Sequence, residues 1–293
     1  MAEDGGPPGA SPVGDRRRVG RRWPIIGAIA LVFLLIIGYV VAGAAAAGTP
    51  LGRAEKALTA TLRHQDSVIT SLSTDPFKSV DFSSSTPDIA KAKSALADYA
   101  RKLAQSVSLV GTDRAALRRV QPSLHGSWLT LPEQSTINRD RRRVDAALAA
   151  LDSAGHGLDM LQKESAFAEP FLDALAGFEA LGTATDLAGV QAQLPATGAS
   201  LQQAIALAIP PEVPIELSPL LTAMQQAVAD LEAMVAAAGA HDATAFNQAS
   251  TSLDADVKAL TGFDQTTLEQ ADRIRFQPLI DSYNKNLEVA AGG

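Results

Sequence analysis

An uncharged apolar stretch near the N-terminus constrains the fold of this chain more than any other feature of its sequence. Residues 24–47 contain no Asp, Glu, Lys or Arg, and twelve of the residues from Ile25 to Val41 are Ile, Leu, Val or Phe. At roughly 0.3–0.6 kcal/mol for each such side chain, insertion into a bilayer gains about 4–7 kcal/mol. A helix of this length reaches about 36 Å, enough to cross the hydrocarbon core. We therefore predict a transmembrane helix over residues 24–47.

The arginines before this stretch predict its orientation. Five arginines lie between Arg16 and Arg22, and positive charge is retained on the cytoplasmic side of a membrane. We expect a single-pass protein of the cell membrane, with residues 1–23 as a disordered cytoplasmic tail and residues 48–293 outside the cytoplasm. A cleaved signal peptide is the alternative to this signal-anchor, because Ala42-Gly43-Ala44 fits a small-x-small cleavage pattern. The apolar run is longer than that of most signal peptides, which favours the anchor.

The rest of the chain carries helical patterns and no alternating strand pattern. Apolar residues follow 4-3 spacing from Val144 to Leu158 and again from Leu217 to Ala238, as in coiled-coil seams. Breaks are marked by Gly, Pro and capping residues. The predicted helices cover about 51–73, 87–120, 138–181, 186–194, 199–209, 217–239, 243–260 and 266–290. The second of these has Thr86 as its cap and an interruption at Gly111. The third has a kink or restart at Pro170.

Short breaks between long helices imply antiparallel neighbours. The predicted fold class is therefore all-α: one N-terminal transmembrane helix followed by an elongated antiparallel helical bundle. We divide the exterior at Gly182 into a first half (48–182) and a second half (183–293). One continuous bundle and two stacked bundles remain open at this stage.

Composition excludes several classes of function. The absence of cysteine removes disulfides, thiol catalysis, iron–sulfur clusters and Cys zinc sites, and a disulfide-free exterior is ordinary for a bacterial protein. Arg outnumbers Lys 17 to 8, which suggests a GC-rich bacterial genome. Residues 48–293 carry a net charge of −9 within a whole-chain charge of −7, and this acidic balance argues against nucleic acid as a partner.

Motifs that would indicate catalysis or metal binding are missing from the sequence. It contains no HExxH, no G-x-S-x-G and no phosphate-binding loop. Asp152, His156 and Asp159 share one helical face, and a solvated polar stripe with a helix salt bridge is the simplest interpretation. We therefore predict that the protein is not an enzyme and has no metal site and no cofactor.

Two features indicate a contact site. Arg139, Arg142 and Arg143 fall at the start of a predicted helix, where positive charge is unfavourable for the helix dipole unless a nearby anion balances it. That anion belongs either to a binding partner or to neighbouring acids of the chain itself, such as Asp140. Trp128 lies in an irregular Pro-containing segment and is a candidate contact with a partner, or a ring packed against the bundle. Arg139, Arg142, Arg143 and Trp128 are the predicted anion or partner contacts.

These observations favour an envelope scaffold or protein-interaction module outside the cytoplasm. The layout resembles chemoreceptor-type four-helix sensor domains in outline, and that resemblance implies the alternative, a small-ligand-binding bundle that acts through a membrane partner. The chain departs from such receptors because it has no second apolar stretch and no output domain after it. Expected partners are the lipid bilayer and another membrane or envelope protein. A small-xxx-small spacing at Gly38 and Ala42 leaves a homodimer open.

Overall fold

The structure, a computed structural model, describes residues 50–80, 88–124 and 134–292. Within these ranges the chain is all-helical: seven α-helices pack as a bundle, and no strand is formed. The predicted all-α fold is therefore confirmed for this part of the chain. The helices are α1 (Pro50–Ser73), α2 (Ile89–Val120), α3 (Gln134–Thr183), α4 (Leu187–Leu207), α5 (Ser218–Gly239), α6 (Ala243–Thr261) and α7 (Gln265–Ala291).

The predicted transmembrane helix over residues 24–47 lies outside the described residues. In the part of the chain that the structure describes, no helix is both long enough and apolar enough to cross a bilayer. The described helices all belong to one compact unit, Ala47–Gly293. The predicted boundary at residue 182 falls near the end of α3, and the division of the exterior into halves stays a prediction.

A first core forms between α1, α2, the first part of α3 and the last part of α7. The helix directions alternate: Arg143 near the start of α3 bonds to Ala290 at the end of α7, whereas Tyr99 early in α2 bonds to Ser71 at the end of α1. The apolar seam predicted from Val144 to Leu158 is buried at each of its 4-3 positions. Other fully buried side chains of this core are Leu58, Val68, Leu103, Leu117, Tyr283 and Leu287.

A second core lies between the last part of α3, α4, α5 and the turn before α5. Its aromatic contribution is a stacked pair, Phe167 and Phe171, whose ring centroids lie 5.4 Å apart. Close approach of α3 and α4 depends on Gly177, because a Cβ there would lie 2.9 Å from the Cβ and Cγ2 of Thr197. The other buried members are Ala174, Leu181, Leu194, Leu201, Ala204, Val213, Leu217, Leu221, Met224 and Val228.

The prediction of an interruption at Gly111 was wrong. Helix α2 runs without a break from Ile89 to Val120, and Gly111 lies exposed within it. A glycine in a helix interior costs about 1 kcal/mol relative to alanine. Burial of Val110 and Leu117 on either side of it outweighs this cost, since each side chain fully removed from water contributes about 1.5–3 kcal/mol.

One predicted break between helices is absent. The predicted helices 186–194 and 199–209 are one helix, α4, which continues through Pro195. Helix α3 continues through Pro170, where a kink or restart was predicted, and it ends at Thr183, close to the predicted end at 181. Pro195 is exposed, so water can satisfy the carbonyl that loses its hydrogen bond to the proline nitrogen. The buried residues Leu194 and Thr197 hold the helix on both sides of it.

Capping residues were predicted with mixed success. Asp242 caps α6 as predicted, since its side chain accepts hydrogen bonds from the backbone N–H groups of Thr244 and Ala245. Helix α2 begins at Ile89, and the side chain of Asp88 accepts a hydrogen bond from Lys91 N. The predicted start at residue 87 and its cap Thr86 lie outside the described residues. Asp caps a helix at least as well as Thr, and it satisfies an N–H that has no partner within the helix.

Candidate functional site

The predicted arginines lie at the end of the bundle where α1 and α3 begin. Arg143 is largely buried there, with 12% of its side chain exposed. Its Nη1 donates to Glu55 Oε2 at 2.8 Å, its Nε donates to Ala290 O at 2.8 Å, and Asp140 Oδ1 lies 3.6 Å from Nη1. Arg143 therefore links α1, α3 and α7, and Glu55 and Asp140 balance its charge inside the protein.

The other two predicted arginines face solvent. Arg139 is 62% exposed, and its Nε lies 3.3 Å from Asp140 Oδ1. Arg142 is exposed and has no hydrogen-bond or ion-pair partner among the residues that the structure describes. The remaining predicted contact, Trp128, lies outside the described residues.

The fold brings further basic side chains to the same end. Arg118 and Arg119 lie in the last turn of α2 and are exposed. Arg53 and Lys56 lie exposed in the first turns of α1. Sequence reasoning missed these two residues of α1, because only the antiparallel packing places them near arginines that lie far away in the chain.

A layer of polar side chains crosses the first core. His64 Nδ1 lies 2.8 Å from Asp113 Oδ2, and 4% of the Asp113 side chain is exposed. Burial raises the pKa of Asp113, and the hydrogen bond and charge of His64 partly offset that rise. In the same core Tyr99 donates its hydroxyl to Ser71 O, and Ser71 and Ser106 share a hydrogen bond of 2.8 Å. The histidine itself was noted in the sequence, but nothing there indicated a partner 49 residues away.

A second polar cluster joins α3, α7 and the connection between α4 and α5. Arg275 donates from Nη1 to Pro211 O at 3.0 Å and to Glu212 O at 2.6 Å. Its Nη2 bonds to Asp272 and lies 3.3 Å from Glu164 Oε2. Burial raises the pKa of Glu164 to about 7, the charge of Asp272 adds to the rise, and Arg275 opposes it. Arg275 thus holds three segments together beside a carboxyl that binds a proton near neutral pH.

Two carboxyl groups meet between α5 and α6. Asp256 is buried, and burial together with the neighbouring carboxyl of Asp230 raises its pKa. One oxygen of each residue is buried without a hydrogen-bond partner in the described structure. Because burial and the charge of Asp230 favour the protonated form of Asp256, the α5–α6 contact becomes weaker as pH rises.

Two open grooves mark the surface of the described helices. The α2–α3 groove holds about 370 Å³ and has Leu96 and Leu103 in its floor with Lys93 and Asp173 at its rim. The α4–α5–α6 groove holds about 380 Å³ and is mostly apolar. Its lining residues are Ala184, Thr185, Asp186, Leu187, Val190, Leu231, Met234, Val235, Ala238 and Phe246.

The helical stripe around His156 holds ion pairs. Asp152 pairs with Arg114 from α2, and Asp159 pairs with Lys163 one turn further along α3. Among the described residues, no group of three or more His, Asp or Glu side chains is arranged to hold a metal ion. The sequence matches no protein-family model, and neither a curated protein nor a solved structure matches it. Its function therefore has to be inferred from its own residues.

Proposed function

We propose that this chain is a non-enzymatic protein of the cell envelope that binds another membrane or envelope protein through its helical surface. Residues 24–47 hold it in the cell membrane, and the bundle lies outside the cytoplasm. The uncharged stretch and the five arginines before it support this placement.

The α4–α5–α6 groove is the observation that carries the interaction role. It is open and mostly apolar, and Leu187 at its edge is 43% exposed. A groove of this kind between helices fits the apolar face of a partner's amphipathic helix, with anchor side chains at i, i+3, i+4 and i+7.

A small-ligand-binding function is the second candidate, and the α2–α3 groove favours it. Its volume of about 370 Å³ falls in the range of small-molecule sites, and its apolar floor has charged groups at the rim. The groove is open along its length, and Lys93 and Asp173 at its rim already pair with each other. A polar small molecule there would have to break that pair, so the protein-binding role is the stronger candidate.

Site-specific photo-crosslinking in intact cells tests the proposed role. A photoreactive phenylalanine analogue replaces Leu187 in the groove or, as control, Val257 on α6, which is similarly exposed at 47%. We expect a discrete protein adduct from position 187 and none from position 257. Equal adducts from both positions, or none from either, would contradict binding through this groove.

A further inference from the structure

We propose that the end of the bundle where α1 begins is a docking surface for anionic phospholipid headgroups. The inference rests on the proposed anchor, because α1 starts at Pro50, directly after the uncharged stretch ends at residue 47. We call this end the basal surface. Its exposed basic residues are Arg53, Lys56, Arg118, Arg119, Arg139, Arg141 and Arg142.

The basal surface is basic on an otherwise acidic exterior. The described stretches of sequence at this end, 50–57, 117–124, 134–146 and 284–292, contain nine Lys and Arg residues against four Asp and Glu residues. Their net charge is therefore +5. Residues 48–293 as a whole carry −9, so everything outside these stretches carries −14. This polarity orients the bundle in the field of a negatively charged bilayer, with the basal surface toward the lipid.

Internal partners already occupy the acidic groups that the structure describes at the starts of α1 and α3. Glu55 and Asp140 both lie against the buried guanidinium of Arg143. Asp145 accepts a hydrogen bond of 2.7 Å from Gln121, and Arg141 Nε lies 3.9 Å from its second oxygen. The exposed arginines are thus left with more positive charge than these acids balance.

Helix dipoles distinguish the two groups of arginines at this end. Arg118 and Arg119 lie at the C-terminus of α2, where positive charge is favourable and needs no external partner. Arg139, Arg141 and Arg142 lie in the second and third turns of α3, beyond the first turn in which the dipole at its start acts. Their guanidinium groups are therefore available to phosphate, which they bind through charge-assisted hydrogen bonds.

Because the proposed anchor holds the chain in a bilayer, the phospholipid headgroups are an anionic surface that is always available to the bundle. In the sequence only residues 48 and 49 separate the proposed anchor from the start of α1, and charges attract an anionic surface over about 8–10 Å at physiological salt. Each Lys or Arg near such a surface strengthens binding roughly fivefold. Removing three basal arginines should therefore lower the docking equilibrium constant roughly a hundredfold.

Fluorescence quenching in lipid nanodiscs tests the inference on the full-length chain. Because the chain has no cysteine, a single fluorophore can be placed at Asn138→Cys on the basal surface or at Thr74→Cys beyond the other end of α1. The discs contain nitroxide-labelled headgroups in phosphatidylcholine, with or without phosphatidylglycerol. The test variant combines Arg119→Gln, Arg139→Gln and Arg142→Gln; the charge-matched control combines Lys78→Gln, Lys102→Gln and Arg273→Gln, all exposed and away from the basal surface.

We expect phosphatidylglycerol to increase quenching at position 138 at least twofold and to leave position 74 unchanged. The increase should disappear in the basal variant and at high salt, and it should persist in the charge-matched control. Equal quenching in both lipid mixtures, or equal loss in both variants, overturns the docking surface while the anchor stands. Failure of the chain to enter the discs overturns the anchor and this inference together.

Discussion

Replacing Glu164 with Gln should remove a pH-dependent loss of stability near neutrality. The pKa of Glu164 is about 7 in the folded protein, against an ordinary value of 4.5, because burial and the charge of Asp272 outweigh the attraction of Arg275. A carboxyl whose pKa is raised by folding stabilises the folded state below its ordinary pKa. That contribution is lost as pH rises through the folded value. Wild-type stability should therefore fall between about pH 4.5 and pH 7 relative to the Glu164→Gln variant.

The size of this effect follows from the shift. A difference of 2.5 pKa units corresponds to at most about 3.4 kcal/mol. The Glu164 side chain keeps 30% of its surface exposed, so solvent screens part of the interaction. We therefore expect the Gln variant to gain about 1–2 kcal/mol on the wild type between pH 5 and pH 8.

Urea unfolding of the full chain in neutral detergent, followed by circular dichroism at several pH values, measures this gain. The difference between variant and wild type isolates Glu164 from other groups that titrate in the range. Glu169→Gln, an exposed change of equal charge on the same helix, is the control for the loss of one negative charge. A Glu164→Gln variant that loses stability relative to wild type as pH rises would show that the attraction of Arg275 outweighs burial, and it would refute the reasoning.

Two further substitutions test the helix contacts by the same unfolding measurement. Gly177→Ala should destabilise the protein by about 1–3 kcal/mol, because the added Cβ meets Thr197 at 2.9 Å, whereas Gly111→Ala, with nothing within 4 Å, should stabilise it by about 0.4–1 kcal/mol. Equal effects of the two alanines would contradict the close packing of α3 on α4. Asp256→Asn should stabilise the protein by about 1 kcal/mol at pH 8 and by less at pH 4, because it removes the charge that faces Asp230. A gain that does not change with pH would exclude a titrating carboxyl pair.

Apolar periodicity predicted the helices well, and local breaking signals predicted their ends less well. The seam from Val144 to Leu158 and the cap at Asp242 follow from spacing and side-chain chemistry that act within one or two turns. Gly111 and Pro195 were misread because their local cost is about 1–3 kcal/mol, which burial of neighbouring residues in a bundle exceeds.

The candidate sites depend on packing between distant segments, which the sequence pattern alone does not give. The arginines of α3 stood out because they are clustered close to the predicted start of their helix. Arg53 and Lys56 join them only because α1 and α3 start at the same end of the bundle. The pairing of Glu164 with Arg275 spans 111 residues, and no local signal marks either residue.

The central claim, a helical bundle tethered outside the cytoplasm, is tested most directly by cysteine accessibility in intact cells. Single cysteines replace Thr251, exposed on α6, and Ser11 in the predicted cytoplasmic tail of this cysteine-free chain. We predict that both variants sediment with membranes, that a membrane-impermeant maleimide labels position 251 in intact cells, and that it labels position 11 only after the membrane is opened. Labelling of position 11 with protection of position 251, or recovery of the chain in the soluble fraction, would contradict the account.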